Sequence, residues 1–168
     1  MSDDHRADAV ELMEHEHSAI RTLFRNYGDA VARGEAADRR QALAEEICMA
    51  MTIHMRLENE MLYPVLRDRH AHDGAPFDDG EAGHGLAREL VAQVLRMTPE
   101  HPAYDAQVTL LADWALDHMR EEGEHLFPAM RLAGINLNLL ADRLQERRRE
   151  LQTVADALRE DALLPAIA

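Results

Sequence analysis

Cysteine is nearly absent from this 168-residue chain, Cys48 being the single thiol. That excludes an internal disulfide framework and any cysteine-based zinc or iron–sulfur cluster. A bound metal would have only oxygen and nitrogen ligands. Aromatic residues are scarce at 4%, and Val and Ile are sparse beside Ala, Leu, Glu, Arg and Met, which is helix composition. Positive charge is also short. Lys and Arg number 18 against 32 Asp and Glu, a formal net charge of -14 with all 10 histidines neutral. Binding of nucleic acid in general, or of anionic membranes, needs clustered cations and is not expected. No apolar run is long enough to span a bilayer. The opening Met1-Ser2-Asp3-Asp4 is acidic where a secretory signal is basic and then apolar. The cytoplasm is the expected location.

Apolar positions at helical spacing, with breakers between them, divide the chain into five helical segments. The first runs from about Asp8 to Arg33 and ends at Gly34, with Val10, Met13, His17, Ile20 and Phe24 on one stripe. The second covers about Ala36 to Arg69, with Ile47, Met51, His54, Glu58 and Leu62 on one face. A loop rich in His, Asp, Gly and Pro follows, His70 to Gly80. The third spans about Glu81 to Met97 and the fourth about Ala103 to Leu132, closed by Gly134. The fifth, about Asn136 to Glu160, carries Leu137, Leu140, Leu144, Leu151, Val154 and Leu158 on a stripe interrupted by Arg147 and Arg148. No segment reads as a strand. The expected fold is all-α: an antiparallel up-down four-helix bundle over residues 1–134 plus a C-terminal helical appendage, 135–168, packed on the bundle or on a partner subunit.

An internal repeat carries the chemistry. His54-Met55-Arg56-Leu57-Glu58-Asn59-Glu60-Met61-Leu62-Tyr63-Pro64 recurs 64 residues later as His118-Met119-Arg120-Glu121-Glu122-Gly123-Glu124-His125-Leu126-Phe127-Pro128, identical at seven of these eleven positions. Upstream, Glu14, His17, Arg21 and Leu23 are echoed 67 residues on by Glu81, His84, Arg88 and Leu90. The chain is thus a His followed by His-x-x-x-Glu, written twice, which implies two helix pairs with approximate two-fold symmetry. His and Glu four residues apart share a helix face, about 6 Å apart along the axis. That spacing suits two metal ions about 3.5–4 Å apart, with the imidazole ending one ion and the carboxylate reaching the gap between them. Six such groups on apolar stripes would be costly to bury without a metal.

This pattern of His17, His54, Glu58, His84, His118 and Glu122, with Leu-aromatic-Pro after each motif, resembles the hemerythrin-like HHE cation-binding family over about Val10 to Leu132. The resemblance implies an oxo- or hydroxo-bridged centre of two Fe ions held by those six residues; manganese or zinc would suit the same donors. The oxygen-carrying members have a fifth histidine in a His-x-x-x-His pair on the third helix, where this chain has Gly80 and Arg88 around His84. Four protein ligands and one bridging solvent per six-coordinate iron leave one open position on each. The expectation is therefore chemistry on peroxide or nitric oxide, or sensing of oxygen, redox state or iron, rather than reversible O2 storage. A loop histidine, His70 or His72, or Glu81 would close such a position by folding back.

Glu14, Glu81 and Tyr63 are candidates for hydrogen bonding to the ligands. Tyr27 and Cys48 read as packing residues, and Glu60 and Glu124 as solvent-facing. Pro64 and Pro128 are expected to bend their helices just past the site. A homodimer through Leu137 to Leu158 is the one protein partner suggested.

Overall fold

The structure is a computed structural model that describes residues 6–69 and 78–164, with side chains in the second span described from Gly83 onward. Its elements are α1 (Ala9–Ala32), α2 (Ala37–Leu57), a π-helical turn (Glu58–Leu62), α3 (Tyr63–Arg69), α4 (Asp78–Arg96), α5 (Tyr104–Glu121), a second π-helical turn (Glu122–Leu126), α6 (Phe127–Leu132), α7 (Leu137–Thr153) and α8 (Ala155–Leu163). Helices α1, α2, α4 and α5 form a ring, each packed against two of the others. Each π-helical turn and the short helix after it prolong α2 or α5. The molecule is the all-α four-helix bundle with C-terminal helices that the periodicity predicts.

Local chemistry fixes the ends of α1. Asp8 caps its start, accepting from the Glu11 N–H at 3.0 Å while Glu11 accepts from the Asp8 N–H at 2.8 Å, which satisfies two orphan donors at once. At the other end Gly34 takes φ +64. Its N–H bonds the Val31 carbonyl, and the Glu35 N–H bonds that of Ala30, so the last carbonyls are closed by a left-handed residue. A Cβ there would meet no atom, leaving backbone strain as the whole cost. Gly34→Ala is expected to destabilise the protein by about 1–2 kcal/mol, read as a lower midpoint of thermal unfolding. An unchanged midpoint would contradict this account of the turn.

Both π-helical turns end at an aromatic-proline pair, and proline is their cause. Pro64 and Pro128 lack an N–H and crowd the carbonyl four residues back. The ladder re-registers upstream of them, with the Tyr63 N–H bonding Glu58 and the Phe127 N–H bonding Glu122, each an i→i+5 bond. The expected bend is thus a one-residue insertion. It brings residues five apart onto one face, so Tyr63 follows Glu58 and Phe127 follows Glu122 toward the bundle axis.

The core is two apolar clusters. One gathers Ile20, Phe24, Ile47, Met51, Val91, Val108 and Leu111; the other gathers Val10, Met13, Leu57, Leu62, Leu66, Phe127 and Met130. Along α1, His17 falls between Met13 of the second cluster and Ile20 of the first, and along α2 His54 falls between Met51 and Leu57. A polar layer separates the two.

The C-terminal segment departs from one continuous helix. It breaks at Val154, whose φ -113 and ψ 26 separate α7 from α8. Leu140, Leu144, Leu151 and Leu158 still join the second cluster, but the break turns Val154 out of the stripe and it is 47% exposed. Helix α7 packs on α1 and α2, and α8 on α4 and α2. The arginines that interrupt the stripe are paired: Arg147 with Glu60 at 2.7 Å and Arg148 with Glu16 at 3.2 Å.

Candidate metal centre

Four helices each deliver one histidine to the middle layer, and each π-helical turn begins at a glutamate. His17, His54, His84, His118, Glu58 and Glu122 are all buried, Glu58 completely. Their ligand atoms converge by pairs. His54 Nε2 is 2.8 Å from Glu58 Oε1, and His17 Nε2 is 3.2 Å from Glu122 Oε2. On the other side Glu58 Oε2 is 3.1 Å from His84 Nε2 and 3.5 Å from His118 Nε2, while Glu122 Oε1 is 3.2 Å from His118 Nε2. Each carboxylate therefore turns one oxygen to each histidine pair. The pairs are His17 with His54, the first position, and His84 with His118, the second.

This arrangement fits cations better than it fits a hydrogen-bonded cluster. His17 Nε2, His54 Nε2, both Glu58 oxygens and Glu122 Oε2 are buried without a hydrogen-bond partner, although several stand at ion-pair distance. Orphaned polar atoms at this density are rare in native interiors. His84 Nε2 and His118 Nε2 are 3.1 Å apart. Donors at right angles on one ion, each about 2.1 Å from it, stand about 3 Å apart. Among the described residues two groups satisfy the spacing of a metal site: His17, His54, Glu58 and Glu122, and Glu58, His84 and His118, with ligand atoms in each lying within 4.8 Å of one another. The donors are imidazole and carboxylate only, a set suited to iron, manganese or zinc.

With protons as the only cations, the same geometry perturbs the ligands strongly. Burial opposes charge on His54, yet the Glu58 and Glu16 carboxylates hold its pKa well above the usual histidine value. His118 is likewise pushed up to about 9 by Glu122 and Glu58 against its burial. Burial resists ionisation of Glu58, but the surrounding imidazoles keep its carboxyl well below the usual range. His17 is lowered by burial.

The family model for the hemerythrin HHE cation binding domain matches residues 8–130. The chain belongs to this family. Rv2633c of Mycobacterium tuberculosis, described as uncharacterised, is 24% identical to this HHE protein over 148 residues, 86% of this chain and 88% of that one. A DNA nickase of Nostoc sp. is 25% identical over 131 residues, 77% of this chain but 35% of that longer protein. The crystal structure of an HHE domain-containing protein, the Rv2633c homolog of Mycobacterium kansasii, matches with a TM-score of 0.73 at 23% identity, covering 94% of this chain and 100% of that one. It shares the fold.

Around the HHE cluster the other candidates divide. Tyr63 is buried, and its hydroxyl donates to Glu122 Oε1 at 2.9 Å and stands 3.4 Å from His84 Nε2. Glu14 is exposed and is not the acceptor expected of it. Two residues along α1, and so turned about 200°, Glu16 takes that role, with Oε2 3.0 Å from His54 Nδ1. The side chain of Glu81 and the loop histidines His70 and His72 lie outside the described residues. Arg88 is exposed. Tyr27 packs ten residues along α1 from His17, about 15 Å, and donates to Asp105 at 2.6 Å.

Three further neighbours stand behind the histidines. Asn59 Oδ1 accepts from His84 Nδ1 at 2.8 Å. Phe127 stacks on His17 at 5.2 Å between centroids, and Trp114 on His118 at 4.6 Å. Trp114 lies four residues before His118, so the helical rule that pairs His54 with Glu58 would have found it.

Proposed function

We propose that this HHE protein holds two iron ions between the histidine pairs and reacts with small oxidants, hydrogen peroxide foremost, with nitric oxide or O2 as further ligands. The observation that carries this reading is the placement of Glu58 and Glu122, whose four oxygens are shared evenly between two histidine pairs. Bound there, two redox-active ions would supply one electron each to or from a single small molecule. The chain's own residues would hold the ions in a buried layer between two apolar clusters. The Tyr63 hydroxyl, hydrogen-bonded to Glu122 Oε1, places a proton beside the second position. The net charge of -14 fits a small-molecule reactant rather than nucleic acid or a membrane surface.

A sensing role without turnover has one observation in its favour. The pair Arg148–Glu16 connects α7 to His54, so a change at the centre has a direct mechanical link to the C-terminal helices. Peroxide added to the iron-loaded, oxidised protein separates the two readings. Oxygen release continuing over many equivalents per chain is expected for an enzyme, whereas one spectral change without release would favour sensing and overturn the catalytic reading.

A further inference from the structure

The repeat makes the two metal positions look equivalent, but the residues behind the ligands are not. At the 67-residue offset Glu16 corresponds to Gly83, and at the 64-residue offset Asn59 corresponds to Gly123 and Tyr63 to Phe127. Every one of these differences places a polar group in the first half of the chain where the second half has none. The polar groups do not serve one position alike. Glu16 is a carboxylate and backs His54, a ligand of the first position, 3.0 Å from its Nδ1. Asn59 is a neutral amide and backs His84, a ligand of the second, at 2.8 Å. The Tyr63 hydroxyl donates to Glu122 Oε1, the oxygen turned toward His118 of the second position.

Glu16 against Asn59, and Tyr63 on its own, both favour the first position. A carboxylate accepting from Nδ1–H makes Nε2 a stronger donor than an amide does, because hydrogen bonds to an ionised acceptor are roughly twice as strong as neutral ones. A hydroxyl donating to a carboxylate oxygen draws electron density from it and makes it a weaker ligand. Glu122 Oε2, on the first side, has no such donor. Arg148 clamps Glu16 at 3.2 Å, and the Glu16 side chain is only 11% exposed, so its orientation is set from two helices.

We infer that Glu16 is a positioning residue that makes the His17/His54 position the tighter of the two, so that it fills first and the His84/His118 position exchanges its ion more readily. The inference rests on the dinuclear reading above. Anaerobic titration of the metal-stripped protein with ferrous iron, in competition with a chromophoric chelator, tests both. The unaltered protein is expected to bind in two resolved steps, with His17→Ala removing the tighter and His84→Ala the weaker. Glu16→Gln, nearly isosteric, is expected to weaken the tighter step by about 10- to 100-fold and leave the weaker within a few-fold. Asn59→Asp, which supplies the second position with a carboxylate of its own, is expected to tighten the weaker step and bring the two together. Two indistinguishable steps in the unaltered protein, or a Glu16→Gln change that weakens both steps equally or neither, would overturn the inference while leaving two ions bound. An unaltered protein that takes up no iron would overturn the dinuclear reading and the inference with it.

Discussion

Replacing Glu58 by alanine is expected to abolish binding of both metal ions, taking the stoichiometry from two per chain to none. Glu58 is wholly buried, with Oε1 2.8 Å from His54 Nε2 and Oε2 3.1 Å from His84 Nε2. Removing it strips a ligand from each position and half of the negative charge that would offset two cations. Glu58→Gln keeps the volume but carries one carbonyl oxygen and no charge, so it cannot serve both positions. It is expected to lose both ions as well, which separates loss of ligation from loss of packing. His17→Ala withdraws a ligand from the first position alone and is expected to leave one ion. Metal analysis after gel filtration reads all three. Glu58→Ala retaining two ions would show that the carboxylate does not bridge.

Stripping the metal is expected to lower stability by about 4 kcal/mol for each ion present at a thousand times its dissociation constant, and the loss should depend on pH. In the metal-free protein the raised pKa values of His54 and His118 stabilise the fold fully below about 6.5, and that contribution is lost as pH rises, through about 9 for His118. Ligation requires the same imidazoles to be neutral, so uptake releases protons and tightens over the same interval. The metal-free protein should therefore weaken between pH 6.5 and about 9 while the loaded form holds or gains. Thermal unfolding with and without a chelator across that range measures the gap, which is expected to widen with pH. A gap that is constant or narrows would contradict the assignment of these histidines as ligands.

What the sequence made legible is what repeats along one helix. The His-x-x-x-Glu pair needs only helical geometry to be recognised, and its second copy supplies the symmetry that brings Glu58 and Glu122 face to face. Pro64 and Pro128 announce a disturbance, but proline chemistry alone does not distinguish a bend from an inserted residue. The i→i+5 bonds of Tyr63 and Phe127 make it an insertion. Glu16 is hidden for a different reason. On its own helix it lies beside the ligand stripe rather than on it, and its role arises only where α2 brings His54 alongside and α7 brings Arg148. Asn59 acts across helices in the same way. The break at Val154 follows no proline or glycine, and local composition does not mark it.

The proposed centre of this HHE protein places two metal ions between paired histidines. Metal content of the purified chain after growth in iron-replete medium, measured together with its near-ultraviolet spectrum, tests it most directly. Two iron ions per chain, iron-to-oxygen charge-transfer absorption, and loss of both ions and bands in Glu58→Ala are expected. A colourless protein free of metal, with stability unchanged by His54→Ala and His118→Ala, would contradict it.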